Sequence, residues 1–362
     1  MYGRKICYVT EVDLDEIGGA ITNDMKMIRC LRKLGDVDTI HFQRRRCRSM
    51  MVALFLYAIQ ILRSISKPYA VYFSRGLVSS FLVMVCKPFF NAKVVHQALS
   101  VPLASKEVAY LVHDRFESFI RYYIFSFLER IVLPHVDVIT VADDSYAKEL
   151  VEIGVEKGKI KTIPFYVENE FFKQPIKRGG KVFKICYVGR FHVYHDLSIL
   201  IEAFELASRS LGNIQLVLVG DGPLRPEVDK EIRQRGLVGK VEMVGMIPHV
   251  LVPSLLSRMD SFVYLIHKSG LSTSLLEAAA AGKAIITLRR KGDSILSRYF
   301  KHGKDIYMVN TSSASEIAKA FELLYEDSQL RDTMARGARS VAERHFSEDI
   351  TLSKLQQLMD SF

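Results

Sequence analysis

Lys268 to Ile285, reading KSGLSTSLLEAAAAGKAI, groups hydroxyls, glycines and one carboxylate at the start of a helix. An apolar run, Ser261 to Ile266, precedes it and reads as a buried parallel strand. A polar turn over 268–274 follows, and Leu275 to Ala281 then predicts a helix stopped by Gly282. Ser and Thr at a helix start cap free backbone N–H groups. Placed after a strand, such a start also binds anions, because those N–H groups and the helix dipole face outward. A diphosphate would suit it. Glu277 lies about one turn inside, where a carboxylate accepts hydrogen bonds from neighbouring hydroxyls. The alternative from these residues alone is a capped core helix with a solvent-facing Glu277.

Other polar residues stand at expected strand ends. Gly189-Arg190 follows the apolar run 184–188, where a guanidinium reads either as a phosphate fork or as a surface charge. Gly220-Asp-Gly-Pro-Leu-Arg225 follows the next run. It matches a dinucleotide fingerprint only superficially, because Arg225 stands where a third glycine belongs and Pro223 suits a helix start.

These residues need a scaffold of alternating strands and helices, and the chain supplies it twice. Lys5-Ile-Cys-Tyr-Val9 opens the first series, with further strands at 38–42, 69–74, 93–98, 136–142 and 159–164. Helices are expected at 23–33, 50–65, near 77–87, at 116–131 and at 145–153. Lys173 to Lys181 reads as a linker. Lys184-Ile-Cys-Tyr-Val188 then repeats residues 5–9 letter for letter, and strands follow at 214–219, 241–244, 262–266, 284–288 and 305–309. The pattern predicts an α/β protein of two parallel-sheet, Rossmann-like domains. They are expected over 1–172 and 181–345, with 346–362 a final helix crossing back to the first. Ligands in such folds bind at the carboxyl ends of strands, here expected in the cleft between domains.

Two helices carry further expectations. Met50 to Ile65 is apolar nearly all round, which predicts burial, with membrane insertion the alternative. In 116–131 an apolar stripe runs through Phe116, Phe119, Ile120, Tyr123, Ile124, Phe127, Leu128 and Ile131. Arg115, Glu117, Arg121, Glu129 and Arg130 take the opposite face. The stripe predicts core, or a helix lying on a bilayer.

Composition narrows the classes. With 49% hydrophobic and 25% charged residues the chain is globular. The five cysteines have no metal-ligand or CxxC spacing, which predicts reduced thiols in a cytoplasmic protein. The first strand begins at once, with no signal-peptide pattern, and the longest apolar run falls short of the roughly 20 residues of a membrane span. The net charge of +10 is concentrated: no acidic residue occurs between Asp38 and Glu107, an interval with ten Lys or Arg. It points to an anionic partner, including a membrane's inner surface, or to a solvated basic face. A nucleic-acid role has the charge but no recognised module and is set aside.

The second half resembles the nucleotide-sugar domain of the retaining glycosyltransferases of family four, whose fold is GT-B. The resemblance rests on Tyr187-Val-Gly-Arg190, Leu200-Ile-Glu-Ala-Phe204, Leu218-Val-Gly-Asp-Gly-Pro223, Val244-Gly245 and Gly270 through Gly282, in family order and spacing. It implies a glycosyltransferase of the hexosyltransferase class, moving a sugar from a nucleotide diphosphate sugar to a hydroxyl of a glycan or lipid-linked acceptor. Neither metal nor other cofactor is expected. By the resemblance Arg190 binds the donor diphosphate and Glu277 the ribose. The amides of Leu271, Ser272 and Thr273 face the diphosphate and sugar, beside Gly270. Ile247 lies beside the base, and Gly18 and Gly19 close over the phosphates. Three positions depart from the pattern. Ser269 replaces the first motif glutamate. His195 stands where a lysine partners the arginine, and is expected to supply positive charge when a diphosphate raises its pKa. The family's catalytic histidine aligns with His96 in one register and with Leu99 in another. These departures keep open a non-catalytic nucleotide-sugar-binding homologue.

Overall fold

A computed structural model of the chain describes residues 4–14, 19–43, 49–98, 116–144, 147–176, 180–193, 195–265, 271–289, 294–310 and 313–362. These form two compact units, one of residues 1–166 with 349–362 and one of residues 167–348. The division falls ahead of the linker expected at 173–181. Val167 donates its amide to the Phe346 carbonyl at 2.8 Å, and Phe171 is buried in the second unit's core.

The first unit is built on a parallel sheet of β1 (Lys5–Thr10), β2 (Asp36–His41), β3 (Val71–Arg75), β4 (Lys93–Ala98), β5 (Val138–Val141) and β6 (Ile160–Thr162), in the order β2-β1-β3-β4-β5-β6. Its central strands are apolar at nearly every position because both faces are covered. Ile6, Tyr8, Val71, Phe73 and Val95 pack against α1 (Gly19–Arg32) and the final helix, Glu348–Asp360, through Leu355, Leu358 and Met359. Thr351 ties that helix to the Pro164 carbonyl at 2.9 Å.

Cys7, Val9, Tyr72, Val94 and Ile139 form the opposite face. Three long helices cover most of it, α2 (Met50–Ser64), α3 (Leu77–Cys86) and α4 (Phe116–Val132), and the short helix Ala147–Glu152 adds Leu150. Here two expectations are corrected. Helix α2 is not buried: only Ala53, Tyr57, Ile61 and Ser64 are, while Met50, Met51, Val52, Leu54, Phe55, Leu56 and Leu62 are exposed. One stripe at i, i+4, i+8 suffices to seat a helix on a sheet, and the remaining apolar residues meet solvent. Helix α4 is rotated from the expected orientation over its described side chains, although Leu128 of the stripe still packs on the core. Ile124, Phe127 and Ile131 of its apolar stripe are exposed, whereas Glu129 from the expected polar face is buried beside Ser126. Periodicity identifies a stripe, but the sheet decides which stripe it covers.

The basic interval is also less naked than its sequence. Arg75 is buried in an ion pair with Asp24, Lys67 pairs with Asp38 at 2.9 Å, and Lys87 pairs with Asp137 at 2.6 Å. All three acids lie outside the acid-free interval.

The second unit carries β7 (Phe183–Val188), β8 (Ile214–Val219), β9 (Val241–Gly245), β10 (Ser261–Tyr264), β11 (Ala284–Leu288) and β12 (Tyr307–Val309), in the order β12-β11-β10-β7-β8-β9. On one face Ile185, Tyr187, Leu216 and Val263 pack against helices at Leu197–Ser210, Arg225–Gln234 and Ala314–Glu326. On the other, Cys186, Val217 and Phe262 pack against helices at Val252–Ser257, Thr273–Ala280 and Ser328–Phe346. Among the described residues no helix is long and apolar enough to cross a membrane.

Burial pushes the Glu129 carboxyl up to about 8, and its Oε2 finds no hydrogen-bond partner among the described residues. Between the unfolded carboxyl value near 4.3 and about 8 the folded state holds one proton more than the unfolded state, so this residue's contribution to stability falls as pH rises through that window. Glu129→Gln is therefore expected to raise the melting temperature, and to raise it more at pH 8 than at pH 5. A gain equal at both values, read by calorimetry, would contradict the assignment.

Candidate functional site

The second sheet reverses direction at β7. The chain moves from β7 outward to β8 and β9, then returns to place β10 on the other side of β7. Loops leaving β7 and β10 therefore turn to opposite faces and part a crevice at their carboxyl ends, the place where open α/β sheets bind ligands.

The loop after β7 is clamped there by backbone. Gly189 donates to the Val219 carbonyl at 3.0 Å, Phe191 to Asp221 at 2.9 Å, and Asp196 to Leu265, just past β10, at 3.2 Å. Glycine is required on the facing turn. Gly220 has φ +132°, and a Cβ there would collide with the Gly189 carbonyl, as one on Gly222 would with that of Phe191. The Gly220-Asp-Gly222 sequence thus serves strand-end packing. The Tyr187 hydroxyl, donating to the Arg190 carbonyl at 2.9 Å, fixes the same turn from below. Arg190 emerges from it exposed, with no ion-pair partner among the described residues.

His195 lies on this loop, edge-on to Tyr187 with ring centroids 5.8 Å apart. Burial first, and the nearby His192 second, lower its pKa to about 4, and its Nδ1 has no hydrogen-bond partner among the described residues. In the free protein the imidazole is thus uncharged at neutral pH, and the expected charge depends on a bound diphosphate.

On the other side of the crevice, Leu271 packs on the core and Ser272 caps the helix Thr273–Ala280, its Oγ accepting from the Leu275 amide at 3.3 Å and lying 2.8 Å from Ser274 Oγ. Gly282 ends the helix at φ +63°, the left-handed conformation expected at such a stop. Ser269 and Gly270 lie outside the described residues, as do Gly18 and Leu99. Gly19 begins helix α1.

Glu277 is buried, not solvent-facing. Its Oε1 meets His249 Nε2 at 2.8 Å, and the other ring nitrogen lies 3.9 Å from Glu168 Oε1. The His249 ring packs on Phe171, centroids 5.6 Å apart. One ligand atom from each of Glu168, His249 and Glu277 falls within 4.8 Å of the others, close enough for a shared cation as well as for a bridging imidazole. Sequence reasoning missed Glu168 and His249. No spacing relates 168, 249 and 277; the sheet order alone unites them. Ile247 is half-buried two residues before His249, beside the 64% exposed Met246.

His96 belongs to the first unit and is not brought to this crevice by the fold of the second. It lies within β4, buried, its Nδ1 2.6 Å from Ser80 Oγ, and burial lowers its pKa to about 4. The first sheet has its own reversal, between β1 and β3. There Asp24 pairs with Arg75 and accepts from Tyr8 at 2.5 Å and from Thr10 at 3.0 Å, while Glu11 accepts from the Ser79 amide at 3.0 Å.

The family model described as glycosyl transferases group 1 matches residues 168–341, essentially the second unit. That unit is a group 1 glycosyltransferase domain. The chain is 28% identical to alpha-D-kanosaminyltransferase of Streptomyces kanamyceticus over 45% of its own length and 42% of the relative's. It is 23% identical to a capsular polysaccharide biosynthesis glycosyltransferase of Staphylococcus aureus over 67% of its own length and 66% of the relative's. The chain thus spans less than half of the first relative and about two thirds of the second. Sucrose-phosphate synthase of Thermosynechococcus elongatus superposes with a TM-score of 0.82 at 17% identity, over 99% of both chains. The Anabaena protein HepE in complex with UDP-glucose superposes with a TM-score of 0.77 at 14% identity, over 99% of this chain and 100% of that one. These likenesses establish the fold: two Rossmann-like units of GT-B type.

The His249–Glu277 contact carries a prediction of stability. His249→Ala removes a hydrogen bond to a buried carboxylate, a loss of about 1.5–3 kcal/mol. The melting temperature should fall by roughly 3–10 °C. An unchanged value would mean that the imidazole does not hold Glu277.

Proposed function

We propose that the protein transfers a hexosyl group from a nucleoside diphosphate sugar to a hydroxyl of a glycan or lipid-linked acceptor, with retention of anomeric configuration and without a metal ion. The observation that carries the reading is Arg190. It is an exposed guanidinium without a counter-ion among the described residues, held at the switch point of a group 1 domain opposite a helix start. A departing diphosphate needs its developing charge met by preorganised donors. Arg190 supplies a planar fork for two oxygens, and the amides of Leu271, Ser272 and Thr273 supply the positive end of a helix. His195, neutral at pH 7, contributes as a hydrogen-bond donor and gains charge only when the bound diphosphate raises its pKa. Glu277, held through His249, accepts from the ribose hydroxyls. Ile247 borders the base, Gly18 and Gly19 close over the phosphates, Ser269 and Gly270 line the sugar, and His96 serves the reacting centre. The complex of HepE with UDP-glucose supports a uridine donor. The polysaccharide-building relative in Staphylococcus aureus supports a glycan acceptor. The reaction runs on the cytoplasmic side, where nucleotide sugars are made.

The neutral state of His195 favours a second reading, a homologue that binds the donor without turnover. Donor hydrolysis separates the two. An enzyme slowly releases free nucleotide from its donor in the absence of acceptor, and a pure binder releases none.

For the leading reading, Arg190→Ala should weaken nucleoside diphosphate binding by roughly 10- to 100-fold, the value of a charged hydrogen bond, without lowering the melting temperature. Titration calorimetry checks this, and equal affinities would remove Arg190 from the site. Turnover should persist in excess EDTA. Loss in EDTA restored by a divalent cation would instead assign a metal to Glu168, His249 and Glu277.

A further inference from the structure

The outer surface of α2, α3 and α4 is an unusual thing to leave in water. The three helices lie on one face of the first sheet, since their buried residues share one core. What they leave outward is apolar. Met51 is 74% exposed, Phe55 65%, Phe127 64%, and Phe89, in the turn after α3, 74%. Leu54, Leu56, Leu62, Phe81, Val85, Ile124 and Ile131 are also exposed. Single exposed apolar residues are ordinary, but a face assembled from three neighbouring elements is not.

The charges on this face select its partner. Helices α2 and α3 contain no acidic residue, and the carboxylate of Glu129 on α4 is turned inward. Arg63 on α2 and Arg130 on α4 are exposed. The sequence just before α2 carries Arg44, Arg45, Arg46 and Arg48. Large flexible apolar side chains, basic residues and, among the side chains described on these helices, no exposed carboxylate suit phospholipid headgroups of negative charge above acyl chains. The 15 residues of α2 span about 22 Å, short of the roughly 30 Å hydrocarbon layer, so the helix lies in the interface instead of crossing it.

We infer that the outer face of α2, α3 and α4 is a membrane-docking surface, which seats Met51, Phe55, Phe89 and Phe127 among the acyl chains of an anionic bilayer. It rests on the proposed transfer only in suggesting that the acceptor is presented at that bilayer. The surface itself stands on burial and charge. It also accounts for the outward placement of Ile124, Phe127 and Ile131 on α4, which meet a second apolar medium.

The test uses the full chain and vesicles of neutral phosphatidylcholine, with or without one third phosphatidylglycerol. Sedimentation should carry the protein with the anionic vesicles and much less with the neutral ones. Phe55→Ser, Phe89→Ser and Phe127→Ser together should lower the bound fraction at least tenfold while leaving the melting temperature and nucleotide affinity unchanged. A wild-type protein that ignores both vesicles would overturn the inference, as would undiminished binding by the triple variant. So would light scattering showing a wild-type dimer that the triple variant splits while vesicles capture neither, since the face would then cover a second copy. Nucleotide titration of the same samples separates this from failure of the transfer reading: vesicle binding without donor binding sinks that reading and leaves the surface standing.

Discussion

A parallel sheet that grows in two directions from its first strand must change the face on which its connections run, and that constraint organises both units. β1, second from an edge of its sheet, and β7, third from an edge, are each the first strand of their unit and each flanked by a strand to which the chain returns. In the second unit the reversal sends the helices that follow β7 and β10 to opposite faces of the sheet. Gly220 and Gly222 allow the loop after β8 to meet the loop after β7 without side chains between them. Ser272 caps the helix, and Arg190 is carried on a turn fixed by Tyr187. The proposed chemistry rests on this arrangement, since a helix start and an exposed guanidinium without an ion-pair partner among the described residues suit a diphosphate.

The two reversals are filled differently. In the first unit the crevice-side charges are spent internally: Arg75 on Asp24, with Tyr8 and Thr10 closing the network. In the second, Arg190 is left available while Glu277 is buried and oriented by His249. A buried carboxylate held by an imidazole keeps its geometry before a ligand arrives, which reduces the ordering that binding requires. The first unit has instead turned apolar surface outward on α2, α3 and α4. The proposed donor site and the proposed docking surface thus lie on separate units.

Much of this was legible in the chain. Strands β1, β7, β8 and β11 were readable because both faces of a parallel sheet demand continuous apolar runs, and the repeated KICYV marks two equivalent first strands. Glu277 and Arg190 were singled out through the family resemblance. Glu168 and His249 were not, because their association depends on strand order and no local pattern encodes it. The orientation of α4 was misread for a related reason: a 3.6-residue period gives a stripe but not its neighbour. The buried Glu129 is the price of that orientation. The charge expected at His195 depended on a diphosphate, and what the sequence did not disclose is the burial beside His192 that keeps the free imidazole neutral.

The central claim is that a nucleoside diphosphate is held between the loop after β7 and the helix start at 271–275. Amide hydrogen exchange with and without saturating UDP measures it most directly. The account predicts slowed exchange at residues 189–191 and 271–276, with little change on helices α2 and α3. Saturable binding that protects other segments and leaves these amides unchanged would contradict it.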